Sequence, residues 1–182
     1  MIYVFLANGF EEIEALAVVD VLRRAELDVL TVGVGEDFVI GSHQIPVAVD
    51  IYERDLILDE KVEAIVLPGG MPGTLNLEKS PVVQKAIDWA IENEKLVCAI
   101  CAAPSILGHK GLLEGKSATC FPGFEEELFG ATVSKEFVVK DGNIITAKGM
   151  GSAIEFGLQI AEILTTPLEA KKIRASLQIC NG

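Results

Sequence analysis

Between Ile2 and Val34 the chain spells a strand, a helix and a second strand, and few folds accept that order. Residues 2–7 are an unbroken apolar run, the pattern of a buried strand, closed by Asn8-Gly9. From Glu11 to Ala25, Ile13, Leu16, Ala17, Val19, Val21 and Leu22 recur between charged positions, which gives a helix one core-facing side. Acids open that helix and Arg23 and Arg24 close it, the favourable sense for its dipole. Asp28 to Val34 reads as a second strand. Two strands joined through a helix run parallel with a right-handed crossover, and a parallel sheet needs both faces covered.

The remaining sequence continues the alternation. Glu63 to Leu67 predicts a buried strand and Val82 to Glu92 a helix. The stretch Lys95 to Leu107 turns from apolar strand into helix, with Pro104 where a first helical turn starts. Ala118 to Phe121 reads as a strand stopped by Pro122-Gly123. Phe137 to Lys140 and Asn143 to Ala147 form a hairpin around Asp141-Gly142, Ala153 to Leu164 is a long helix, and Pro167 starts another. Only residues 36–58 are irregular, with short β-like pieces at 38–40 and 45–49. No repeat or linker interrupts the pattern, so residues 1–182 are expected to make one α/β domain, a mostly parallel sheet with helices on both faces. A formal charge of −12 removes nucleic acid and anionic membranes as partners for a basic surface. No apolar run approaches membrane-spanning length, and the opening run meets Glu11 and Glu12 too early for a secretory signal. Four cysteines in that setting are expected to be reduced thiols in the cytoplasm.

Sites in open parallel sheets lie beyond the carboxyl ends of the strands. Four loops are predicted there: Asn8 to Glu14, Pro68 to Gly73, Cys101-Ala102 and Cys120 to Gly123. Cys101 occupies the strand-to-helix corner, where helix amides favour a thiolate. Ala99, Ala102 and Ala103 supply the small side chains of a tight elbow. The competing reading is a packing cysteine, since free Cys is often buried. A nucleophilic thiol usually works with a base. His109 lies eight residues along the following helix, roughly 12 Å from the corner at 1.5 Å per residue, and is expected at the surface. His43 reaches the corner only through folding or from a partner subunit. Glu11, Glu12 and Glu14 follow the first strand at the correct edge; one of them, buried beside a thiol, would have its pKa raised. Gly69-Gly70 permits close backbone approach, and the amides of Gly70 and Ala102 together suit an oxyanion hole. Cys98 and Cys101 form a CxxC pattern, but Cys98 falls inside a strand and no second ligand pair accompanies it, so no metal is expected. Cys120, at another strand end, is a candidate to resolve an oxidised Cys101.

Five stretches in this order resemble the ThiJ/PfpI superfamily, and specifically its Parkinsonism-associated deglycase branch (DJ-one and its bacterial homologues). They are Gly9 to Glu14, Leu67 to Gly70, Ala99 to Pro104, Thr119 to Pro122 and Gly149 to Ser152, and the resemblance spans nearly the whole chain. It implies a flavodoxin-like three-layer sandwich and a homodimer. It matches Cys101 to a reactive, easily oxidised cysteine, Glu14 to its protonated acid partner, and Gly70 and Ala102 to oxyanion amides, with Gly69 and Phe121 beside them in the substrate site. There are departures: Ala102 stands where peptidase-like relatives have His, Phe121 where some deglycases have His, and Met150 where Pro is frequent. His43 falls where close relatives tend to carry an Arg near the dimer interface, so it is expected to approach the partner's site. The resemblance implies a cofactor-independent glyoxalase or protein deglycase, acting on methylglyoxal-type α-oxoaldehydes or on early glycation adducts of proteins. The alternative it leaves is a non-enzymatic oxidative-stress sensor or redox-regulated chaperone read out by Cys101 oxidation. A cysteine peptidase ranks last, because of Ala102.

Overall fold

The computed structural model describes residues 1–35 and 38–179; the first two residues of the irregular stretch 36–58 lie outside it. In chain order the elements are β1 (Ile2–Ala7), α1 (Glu12–Arg24), β2 (Val29–Val34), β3 (Val39–Ile40), β4 (Pro46–Val47), β5 (Ile51–Tyr52), β6 (Ala64–Leu67), α2 (Gly73–Lys79), α3 (Pro81–Glu92), β7 (Leu96–Ile100), α4 (Pro104–His109), β8 (Ser117–Ala118), β9 (Thr132–Val133), β10 (Val138–Asp141), β11 (Ile144–Ala147), α5 (Ala153–Leu164) and α6 (Pro167–Ser176).

The main sheet runs β10-β11-β7-β6-β1-β2-β5, with β10 antiparallel at its edge and every other neighbouring pair parallel. Side chains of each central strand alternate between two cores. Ile2, Val4, Leu6, Cys98 and Ile100 join Val18 and Leu22 of α1 and Phe156 and Ile160 of α5. Tyr3, Phe5, Val97 and Ala99 face the other way, onto Val83, Ile87 and Ala90 of α3 and Ile106 and Leu107 of α4. The result is the expected three-layer α/β sandwich of flavodoxin-like type. Each fully buried Phe or Ile contributes about 1.5–3 kcal/mol by leaving water, so strands buried on both faces anchor the fold. Among the described residues, no helix is long and apolar enough to cross a membrane.

Three local expectations change. The strand expected at Ala118 to Phe121 shrinks to Ser117–Ala118 and pairs with β9, outside the main sheet. Phe121 gives its amide to the Cys101 carbonyl at 2.8 Å instead of to a ladder. Residues 73–79, which follow the predicted Pro68 to Gly73 loop and for which no element is predicted beyond Gly73, form α2, too short at 7 residues to write a helical period. The hairpin turns at Gly142-Asn143, one residue later than expected, with Asp141 opposite Ile144 and Gly142 at φ 61°.

Candidate active site

Strand order decides where the side chains of a site can meet. β1 lies inside the sheet, the chain moves to β2 on one side and later to β6 on the other, and the loops leaving β1 and β6 diverge between them. That divergence opens a crevice at the carboxyl edge. The two loops are stitched across it by Glu11 N donating to Gly69 O at 2.9 Å and Gly73 N to Gly9 O at 3.2 Å. β7, next to β6, delivers Cys101 to the same edge.

Cys101 sits at φ +67°, a left-handed conformation that costs a non-glycine residue about 1–3 kcal/mol. Its neighbours hold it there. Its amide donates to Ala147 O of β11 at 2.8 Å, its carbonyl accepts from Phe121 N, and Ala103 N closes the turn onto Ile100 O at 3.1 Å. The sulfur is thereby turned off the strand into the crevice, the sharp strand-to-helix elbow that small flanking residues permit.

Glu14 meets it from the first turn of α1. Its side chain is almost wholly buried, at 1% exposure, and Oε2 accepts from the Gly69 amide at 3.0 Å. Oε1 is buried without a hydrogen-bond partner; the Cys101 thiol and the Met150 amide face the carboxyl group and favour its ionised form, but neither closes a bond to Oε1. Burial outweighs them and raises the Glu14 pKa to about 7, helped by the charge of Glu11. The Cys101 thiol is pushed up to about 12, by burial first and then by the charge on Glu14, while the Ala102 and Gly70 amides at the sulfur pull the other way. Burial and the Glu14 charge therefore act against the thiolate expected at the helix corner, and the thiol and the carboxyl group are coupled, so they titrate as a pair.

Gly69 makes this proximity possible. A Cβ built there would lie 2.6 Å from the Cys101 Cβ and 2.7 Å from Glu14 Oε2, distances that real side chains do not tolerate. Its amide is committed to Glu14, so of the expected oxyanion donors only Gly70 and Ala102 face the sulfur. Phe121 is close by: its ring lies 3.1 Å from where a Gly149 Cβ would be, and that same point is 3.7 Å from Glu14 Oε1.

The other expected residues fall elsewhere. His43 is exposed and bonds through Nδ1 to Glu12 Oε2 at 3.0 Å, 3.6 Å from Glu11 Oε2, so within this chain its partners are Glu11 and Glu12 and not the thiol. Glu11, Glu12 and His43 also form a group of metal-ligating atoms, all within 4.8 Å of one another among the described residues, but Cys101 and Glu14 are not part of it. His109 bridges Glu78 at 2.5 Å and Glu127 at 2.8 Å. Cys98 is fully buried, and burial drives its thiol far above the ordinary range. Cys120 is buried in the core on the α3 side, whereas Cys101 packs against the core on the α1 and α5 side. Sequence reasoning missed Ala147, whose contribution is a backbone carbonyl and leaves no side-chain signal.

Residues 1–163 match the family model described as the DJ-1/PfpI family. Protein dj-1beta of Drosophila melanogaster is 36% identical over 179 residues, covering 97% of this chain and 95% of the relative. The crystal structure of Drosophila melanogaster DJ-1beta superposes with a TM-score of 0.91 at 34% identity, over 98% of this chain and 97% of the other. The glutathione-independent glyoxalase DJR-1.2 of Caenorhabditis elegans is 31% identical over 159 residues, covering 86% and 84% of the two chains.

Proposed function

Because the chain belongs to the DJ-1/PfpI family, we propose that it is a cysteine-dependent glyoxalase or protein deglycase acting on α-oxoaldehydes such as methylglyoxal, with Cys101 as nucleophile and Glu14 as acid and base. One observation carries the proposal: a buried carboxyl group, its pKa raised by that burial, faces a thiol held in a strained strand-to-helix elbow. A base with a pKa near the working pH combines a usable fraction of the basic form with real proton affinity. A relative named as a glutathione-independent glyoxalase supports the same chemistry.

In this reading the Cys101 sulfur adds to the aldehyde carbon of methylglyoxal, and the proton of the pair moves to the aldehyde oxygen, giving a hemithioacetal. The Gly70 and Ala102 amides hold the charge that develops on that oxygen. Glu14 removes the proton from the same carbon and returns one to the neighbouring carbon, while the hemithioacetal hydroxyl proton passes to the former ketone oxygen, so the aldehyde carbon is oxidised and the ketone carbon reduced. The resulting thioester loses lactate to water, which restores the thiol and Glu14. Electrons and atoms balance with water as the only co-reactant. On glycated proteins the same addition would release the amine or thiol carrier.

Purified protein with methylglyoxal is expected to yield lactate. Cys101→Ser should abolish turnover and Glu14→Gln should lower kcat by 10²-fold or more, on the scale of about 10²–10⁴-fold for a positioned acid–base group. A fully active Cys101→Ser protein with intact circular dichroism overturns the proposal.

A further inference from the structure

Phe121, Phe137 and Met150 leave large apolar surfaces exposed on one side of the Cys101–Glu14 pair. With Lys148, Gly149 and Ser152 they line a groove of about 360 Å³. It adjoins the site: Phe121 is bonded through its amide to the Cys101 carbonyl, and a Cβ built on Gly149 would lie 3.1 Å from the Phe121 ring and 3.7 Å from Glu14 Oε1. That volume falls within the roughly 300–1,000 Å³ of pockets that take drug-sized ligands, whereas a three-carbon aldehyde would leave most of it empty. Lys148 stands at the rim of the groove. Its ammonium donates to Lys135 O at 2.7 Å and sits 5.2 Å from the Phe137 ring centre, which fixes that ring at the rim. Two phenyl rings and a thioether suit an aromatic guest, through offset or edge-to-face ring contacts and sulfur–ring contacts.

Building on the reading of Cys101 as a nucleophile toward α-oxoaldehydes, we propose that this groove is a subsite for an aromatic group attached to the substrate's reacting dicarbonyl unit. Aryl-substituted α-oxoaldehydes are then better substrates than methylglyoxal, and Phe121 and Phe137 set that preference.

The test uses electrophiles that report on the groove whether or not the protein turns over. Phenacyl chloride and chloroacetone both alkylate a thiol at the carbon beside a ketone; a sulfur–carbon bond forms, the carbon–chlorine bond breaks and chloride leaves. They differ in carrying a phenyl or a methyl group. Alkylation rates at the Cys101 peptide are read by mass spectrometry, and the phenyl-to-methyl ratio is divided by the same ratio for glutathione. The expected value is at least tenfold for the wild type, falling at least threefold in Phe137→Ala or Phe121→Ala, with circular dichroism confirming the fold of each. A wild-type ratio equal to that of glutathione, or a ratio unchanged in both variants, overturns the subsite. Lactate formation from methylglyoxal, assayed alongside, decides the proposed function separately.

Discussion

At the scale of single residues, Glu14 is held where its charge is costly and is useful for that reason. An ordinary glutamate titrates near 4.3, whereas burial raises this one to about 7. The folded state therefore binds a proton more tightly than the unfolded chain between those values. Stability is then fullest below the unfolded pKa and falls as pH rises through the folded one, by roughly 3–4 kcal/mol for a shift of this size. Glu14→Gln removes the charge and keeps an oxygen for the Gly69 amide. The variant should melt above the wild type at pH 8 and close to it at pH 5. Calorimetric scans across that range check the sign, and a variant less stable than wild type at every pH sinks the account. Function and stability trade against each other at this residue: the substitution expected to stabilise the fold is also the one expected to disable the acid–base step. Gly69 shows the limit of reading such a site from sequence. Its dipeptide announces close approach, but that its amide serves Glu14 and its missing Cβ makes room for Cys101 follows only from three loops meeting.

At the scale of elements, His109 ties together three segments that each lead away from the site. α2 follows the Gly69-Gly70 loop, α4 follows Cys101, and the 3-10 turn at Glu125–Glu127 follows Phe121. The imidazole offers one nitrogen to Glu78 and the other to Glu127 and leans on the Phe129 ring at 5.2 Å. Two ionised carboxylates only accept, so both nitrogens must carry protons, and these contacts raise the His109 pKa above its ordinary value. A raised histidine contributes stability that is fully present below about 6.5 and lost as pH rises through the folded value. Chemical denaturation of the wild type and His109→Gln should therefore separate by about 1 kcal/mol at pH 6, the scale of partly exposed ion pairs, and converge at pH 9. A gap that does not depend on pH means the imidazole only packs. The sequence correctly removed His109 from the thiol, because eight residues of helix set a distance. It did not foretell the clamp, whose carboxylates come from α2, invisible as a helix at seven residues, and from a turn 18 residues further on.

At the scale of the whole molecule, the parallel sheet was legible because strands buried on both faces must be continuously apolar, as in residues 2–7, 64–67 and 96–100. Residues 118–121 misled because an apolar, β-prone stretch reads the same whether its amides enter a ladder or hold the turn at Cys101. Charge is the property of the whole that bears on chemistry at Cys101. The chain carries −12 overall, Glu11 and Glu12 are buried next to the same crevice, and the Cys101–Glu14 pair adds its own negative charge. Such a field lowers the local concentration of anions and leaves neutral molecules untouched. On the proposed function, it would favour uncharged aldehydes over keto acids before any contact is made. Iodoacetate and iodoacetamide report that field directly, since they alkylate the same sulfur and differ by one charge. The rate advantage of iodoacetamide at Cys101 should exceed its advantage with glutathione by several-fold at 10 mM salt. It should shrink toward the glutathione value at 0.5 M, where the Debye length falls from about 30 Å to below 8 Å. An advantage that stays constant with salt would mean that the crevice discriminates by shape alone, and that the molecule's acidity serves solubility and not substrate choice.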